Sequence, residues 1–123
     1  VDVLLVPLRN TPYNLSLPDT LLVEAGAKGI PWVASSNPSF QLWQNGGVIS
    51  ESLDEWHLNM RHLIMDEELR RRLGKEGRSA AESREMNQAG KLWLDLINQV
   101  THAGAAMLPT SEKIIPSYQG MEN

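Results

Sequence analysis

Apolar positions in this chain follow two patterns: short continuous runs in the first fifty residues, and helical stripes after them. Residues 2 to 7 are a near-continuous apolar run, the signature of a strand covered on both faces. The stretch from Leu8 to Pro18 carries Asn, Thr, Pro and Tyr residues suited to a loop at a strand exit. Asp19 or the residue beside it caps a helix predicted to run to Lys28, and Gly29 stands where a left-handed terminating residue is wanted. Pro31 stops that helix, and Trp32-Val33-Ala34 reads as a second strand. A short helix is predicted from Pro38 to Gln44, a turn at Asn45-Gly46-Gly47 and a brief strand at Val48-Ile49.

The rest of the pattern is helical. Ser52 followed by Glu55 forms a capping box, and Leu53, Trp56, Met60, Leu63 and Ile64 share one face. Asp66 caps the next helix, with Leu69, Leu73 and Ala80 inward and Arg70, Arg71, Arg72, Lys75 and Glu76 outward. Gly74 and Gly77 weaken it by roughly 1 kcal/mol each relative to alanine, so it either ends early or packs closely. A third helix, about Asn87 to Val100, places Leu92, Trp93, Leu96, Ile97 and Val100 in one stripe. Periodicity stops at Ala103, and residues 103–123 read as an extended or disordered tail. The predicted fold is α/β: a partial Rossmann-like parallel sheet of about three strands with C-terminal helices, forming one domain over residues 1–102.

The bulk numbers narrow the function classes. With 123 residues there is room for one modest core. A net charge of −4 argues against nucleic acid as a partner, and no apolar run approaches the roughly 18 residues that suggest a membrane span. The absence of cysteine excludes disulfide and thiolate chemistry and leaves the cytoplasm as the default compartment. Because the chain opens at Val1 directly into a core-type strand, a piece of a longer protein is expected.

Parallel sheets place ligands at the carboxyl ends of their strands, which points to the loop from Leu8 to Pro18 and the helix start after it. Free amides and the positive dipole end make such a start an anion site. A diphosphate there would lie about one and a half turns from Glu24, whose carboxylate could accept hydroxyl hydrogen bonds from a ribose or sugar ring. Against this stands the plainer alternative that Glu24 is a helix-forming residue in an ordinary crossover helix. His57 and His62 are five apart and share no face, and His102 is isolated, so no metal site is expected. The Arg70-Arg71-Arg72 run is interleaved with Glu67, Glu68 and Glu76 and reads as a solvated face. Trp43, Trp56 and Trp93 occupy apolar positions and are expected in the core.

The run Val3-Leu4-Leu5-Val6-Pro7-Leu8-Arg9-Asn10-Thr11-Pro12-Tyr13-Asn14, continued by Leu22-Val23-Glu24-Ala25-Gly26-Ala27-Lys28-Gly29-Ile30-Pro31-Trp32-Val33-Ala34-Ser35, resembles the C-terminal, donor-binding domain of GT-B glycosyltransferases of the GT4 type. The later Asp66-Glu67-Glu68-Leu69-Arg70-Arg71-Arg72-Leu73-Gly74-Lys75-Glu76-Gly77-Arg78 is similar to a helix of the same family. The resemblance covers roughly residues 2 to 100 and implies half of a nucleotide-sugar-binding domain, with a nucleotide-diphosphate sugar as substrate and no cofactor. It puts Glu24 on the second glutamate of the family's Glu-x7-Glu motif, the ribose ligand, and the diphosphate at Asp19, Thr20 and Leu21. Asn14 joins this donor-binding set, and Ser16 replaces the motif's first glutamate, which contacts the donor sugar. Leu17 and Pro18 stand where a subgroup has a Lys-Ser pair. Trp32 takes a strand position the family usually fills with a β-branched residue.

The glycine-rich turn, the basic pair and the acceptor domain of such enzymes would lie in a preceding N-terminal part of the parent chain. No catalytic residue is therefore assigned here, and this chain alone is not expected to transfer sugar. The strand at 2–7 would be central in the family's sheet, so its exposed outer edge is expected to give a homodimer, domain swapping or poor solubility. The alternative function is an inactive glycosyltransferase-like scaffold or oligomerisation module.

Overall fold

The computed structural model describes residues 1–107. Its order is β1 (Leu4–Val6), α1 (Pro12–Leu15), α2 (Thr20–Ala27), β2 (Trp32–Ser35), α3 (Pro38–Trp43), β3 (Gly47–Ser50), α4 (Leu53–Met65), α5 (Glu67–Glu82) and α6 (Met86–Met107). The three strands form one parallel sheet in the order β1-β2-β3. Leu4 stands opposite Trp32, and Trp32 opposite Gly47. The predicted three-stranded parallel α/β architecture is what the chain adopts. It divides after Glu85: residues 1–85 form one unit, and α6 belongs to a second.

Strand alternation sorts the core into two faces. Trp32 and Ala34 pack with Val6, Leu22, Ala25, Phe40, Trp43 and Ala81 on one side of the sheet. Val33 points to the other side, against Leu63 and Leu73, with Val3, Val48, Trp56 and Leu69 around them. Only the central strand is fully covered on both faces: Trp32, Val33 and Ala34 have no exposed surface. At β1, expected to be covered on both faces, Leu5 is 47% exposed. Leu5 shares the face of Val33, but the Leu63–Leu73 cluster does not extend over it.

Most helix boundaries follow local chemistry. Thr11 accepts the Asn14 amide and Pro12 occupies the first turn, so the stretch predicted as loop contains the single turn α1. Gly29 ends α2 at φ +69°, as its position demands. Asn37 caps α3, Ser52 caps α4 and Asp66 caps α5. The capping box is displaced: Glu55 accepts the amide of Glu51 rather than that of Ser52.

Gly74 and Gly77 do not end α5, which continues to Glu82 and packs closely instead. A Cβ on Gly74 would lie 2.3 Å from the Gly29 carbonyl oxygen, and one on Gly77 would lie 3.1 Å from the Gly26 Cα. Helix α6 runs to Met107, beyond the predicted end at Val100 and into the expected tail; the remainder of that tail lies outside the described residues. Trp43 is buried and Trp56 half-buried, but Trp93, expected in the core, is 65% exposed.

Candidate functional site

The carboxyl ends of the strands open into a cleft of about 640 Å³. Leu8, Asn10 and Leu15 enter it from the β1–α2 connection, Ser35 and Ser36 from the end of β2, and Ser50 and Glu51 from the end of β3. Trp56 of α4 contributes the aromatic part of its wall.

Its hydroxyls are already engaged as acceptors. Ser35 Oγ accepts the Leu8 amide at 2.8 Å, which fixes the chain as it leaves β1. Ser36 Oγ accepts from Gln41 Nε2 at 2.6 Å, and Ser50 Oγ from Asn59 Nδ2 at 2.9 Å. Ser52 Oγ takes the Glu55 amide. A serine that accepts in this way keeps its own proton to donate. The cleft can therefore offer several O–H donors to ligand oxygens, with the Glu51 carboxylate as an acceptor for ligand hydroxyls.

None of the residues proposed from sequence lines this cleft. Asn14 is half-buried in α1; its Nδ2 donates to the Arg9 carbonyl and its own carbonyl accepts from buried Asn37. Ser16 is exposed and donates back to the Tyr13 carbonyl at 2.7 Å, a local turn contact. Thr20 and Leu21 are exposed in the first turn of α2, and Glu24 is exposed one turn on. No side-chain hydrogen bond or ion pair among the described residues joins Asn14, Ser16, Thr20, Leu21 and Glu24 to one another. What they share is one connection, from the end of β1 through α1 to the first turns of α2.

Asp19 sits at the N-cap of α2 but makes no side-chain capping bond. Its carboxylate instead takes Arg84 Nη1 at 2.8 Å, and that guanidinium lies 4.6 Å from the centroid of the Trp43 ring. A cation thus offsets the negative charge at the helix start. Arg84 was not legible as part of this region because it lies 65 positions from Asp19 with no local pattern joining them. The cleft serines had a signal, since Ser35 and Ser36 follow a predicted strand at its carboxyl end.

Among the described residues no three His, Asp or Glu side chains converge as metal ligands, and no helix is long and apolar enough to cross a membrane. The fold defines this chain as a mixed α/β protein built on a three-stranded parallel sheet, compatible with a Rossmann-like arrangement. No family model, curated protein or solved structure matches the chain.

Proposed function

We propose that this chain is part of the donor-binding half of a glycosyltransferase and holds the ribose and diphosphate of a nucleotide sugar. The observation carrying this reading is the β1–α1–α2 connection. It starts α2 on the strand-end side of the sheet and leaves Glu24 exposed about 6 Å further along the helix axis. The amides of Thr20 and Leu21, without partners inside the helix, receive the diphosphate, and Glu24 accepts the ribose hydroxyls. Asn14 and Ser16 border the same connection, with Ser16 toward the sugar. Transfer to an acceptor needs the N-terminal half of the parent chain, and α2 then stabilises the leaving diphosphate.

In this reading the outer edge of β1 receives the preceding strands of the parent chain, and the protein works in the cytoplasm. A scaffold that no longer binds donor is the second reading. The observation favouring it is the Asp19–Arg84 pair, which puts a fixed carboxylate at the start of α2.

Titration with UDP, GDP and ADP, followed by NMR at the backbone amides from Asn14 to Glu24, separates the two. Shifts confined to that segment and lost in Glu24→Ala support donor binding and identify the base. Absence of any shift at millimolar nucleotide, in this chain and in the intact parent protein, overturns it in favour of the scaffold.

A further inference from the structure

The apolar stripe of α6 plays no part in the proposed donor site. Along this one continuous helix, apolar residues recur at Met86, Ala89, Trp93, Leu96, Val100 and Ala103. The spacing alternates between three and four residues, the repeat of a coiled-coil seam. Leu92 and Ile97 widen the stripe, and a helix with such a face needs a partner to cover it.

We propose that this seam pairs antiparallel with α6 of a second copy of the chain. The area is sufficient. Met86 is 83% exposed, and Leu92, Trp93, Leu96, Ile97 and Val100 are between 49% and 68% exposed. Together they present on the order of 700 Å² of surface, close to the roughly 800 Å² that each partner contributes to a standard interface.

The side-chain sizes select the antiparallel arrangement. With a two-fold axis between positions 94 and 95, Met86 faces Ala103 of the second copy, Ala89 faces Val100, and Trp93 faces Leu96. Every layer then sets a large side chain against a smaller one, which fills the seam without crowding. A parallel pair would set Trp93 on Trp93 and Ala89 on Ala89, one layer overfull and the other hollow. Opposed macrodipoles also favour the antiparallel pair. Between 86 and 107 the only Lys, Arg, Asp or Glu residues are Lys91 and Asp95, both off the seam, so two copies meet without charge repulsion. The same scarcity of basic residues leaves α6 poorly suited to an anionic lipid surface.

Sedimentation of the full chain over a range of concentrations tests this. The expected result is a dimer that becomes monomeric in Leu96→Glu/Val100→Glu with helix content retained, and that survives Leu5→Lys at the β1 edge. Because the chain has no cysteine, crosslinking tests the geometry without disturbing the fold. Under mild oxidation, Trp93→Cys mixed with Leu96→Cys should give the mixed disulfide about tenfold faster than either protein alone. A chain monomeric at high micromolar concentration overturns the proposal, whether its helix face is covered by its own chain or by phosphatidylserine vesicles in a flotation assay. So does a dimer that resists the double glutamate or is lost in Leu5→Lys, or a faster Trp93→Cys self-crosslink.

Discussion

Gly26 and Gly77 meet backbone to backbone: a Cβ on Gly26 would stand 2.7 Å from the Gly77 carbonyl oxygen. This approach lets α2 and α5 cross closely, with Gly46 also against Gly77. Gly26→Ala should therefore destabilise the 1–85 unit by about 2 kcal/mol through forced separation of the helices, despite alanine's better helix propensity. Gly90 in α6 has none of the described residues within 4 Å of where its Cβ would be, so Gly90→Ala should raise helix stability by about 1 kcal/mol. Urea unfolding and far-UV circular dichroism on the two variants check the pair. Equal effects of the same sign would remove the packing argument.

Two buried tryptophans differ in one hydrogen bond. Trp32 Nε1 donates to the Asn45 carbonyl at 3.0 Å, while Trp43 Nε1 is buried with no partner among the described residues. Trp43→Phe removes an unsatisfied donor along with some volume, so it should change stability by less than about 1 kcal/mol. Trp32→Phe loses a made bond, leaves the Asn45 carbonyl unpaired and opens space beside Gly47, and should cost about 2 to 4 kcal/mol. Chemical denaturation of both variants gives the order. Finding Trp43→Phe the more damaging would show that its ring volume outweighs its unpaired N–H.

The parts legible in the sequence were those governed by neighbours along the chain. The apolar run at β2, Gly29 after a helix, and the caps at Ser52 and Asp66 depend on residues within a few positions. Thr11-Pro12 carries a helix-start signal as well, but a single turn from Pro12 to Leu15 reads equally well as loop. Gly74 and Gly77 illustrate the limit, since glycine in a helix is consistent with breakage or with close approach. Only Gly29, Gly26 and Gly46 across the fold decide between them. The Arg84 contacts to Asp19 and Trp43 follow from helix packing over 41 to 65 positions, which no local pattern records. Trp93 looked like core because periodicity reports a face, not what covers it.

Asp19 and Arg84 form a partly exposed ion pair, with the two side chains 19% and 48% accessible. Breaking it in Asp19→Asn should cost less than about 1 kcal/mol, since solvent screens most of the attraction. The same substitution removes a negative charge from the start of α2 and releases the Arg84 guanidinium. If α2 receives a diphosphate, Asp19→Asn should tighten UDP binding about fivefold, and Arg84→Gln in that background should reverse the gain. Isothermal titration of the two variants measures both changes. Weaker binding in Asp19→Asn would mean that the carboxylate itself serves the ligand.

Asn37 ties the β1–α2 connection to the sheet. It is almost fully buried, its Oδ1 takes the Ser39 amide as the cap of α3, and its Nδ2 donates to the Asn14 carbonyl at 2.6 Å. Asn37→Ala removes both bonds and should cost about 2 kcal/mol. Asn37→Asp keeps the acceptor that caps α3 but turns a carboxylate oxygen toward the Asn14 carbonyl in a buried place, and should cost more than alanine. The two outcomes differ in where they act. In Asn37→Ala, amide exchange should quicken first from Asn14 to Leu17, because that turn has lost its anchor while β2 retains its pairing with β3. Hydrogen exchange by NMR reads this directly, and uniform quickening across β2 and α2 would instead place Asn37 in the global core. Since the turn sets where α2 begins, local loosening there should also weaken any ligand held by the Thr20 and Leu21 amides, with Glu24 still in place.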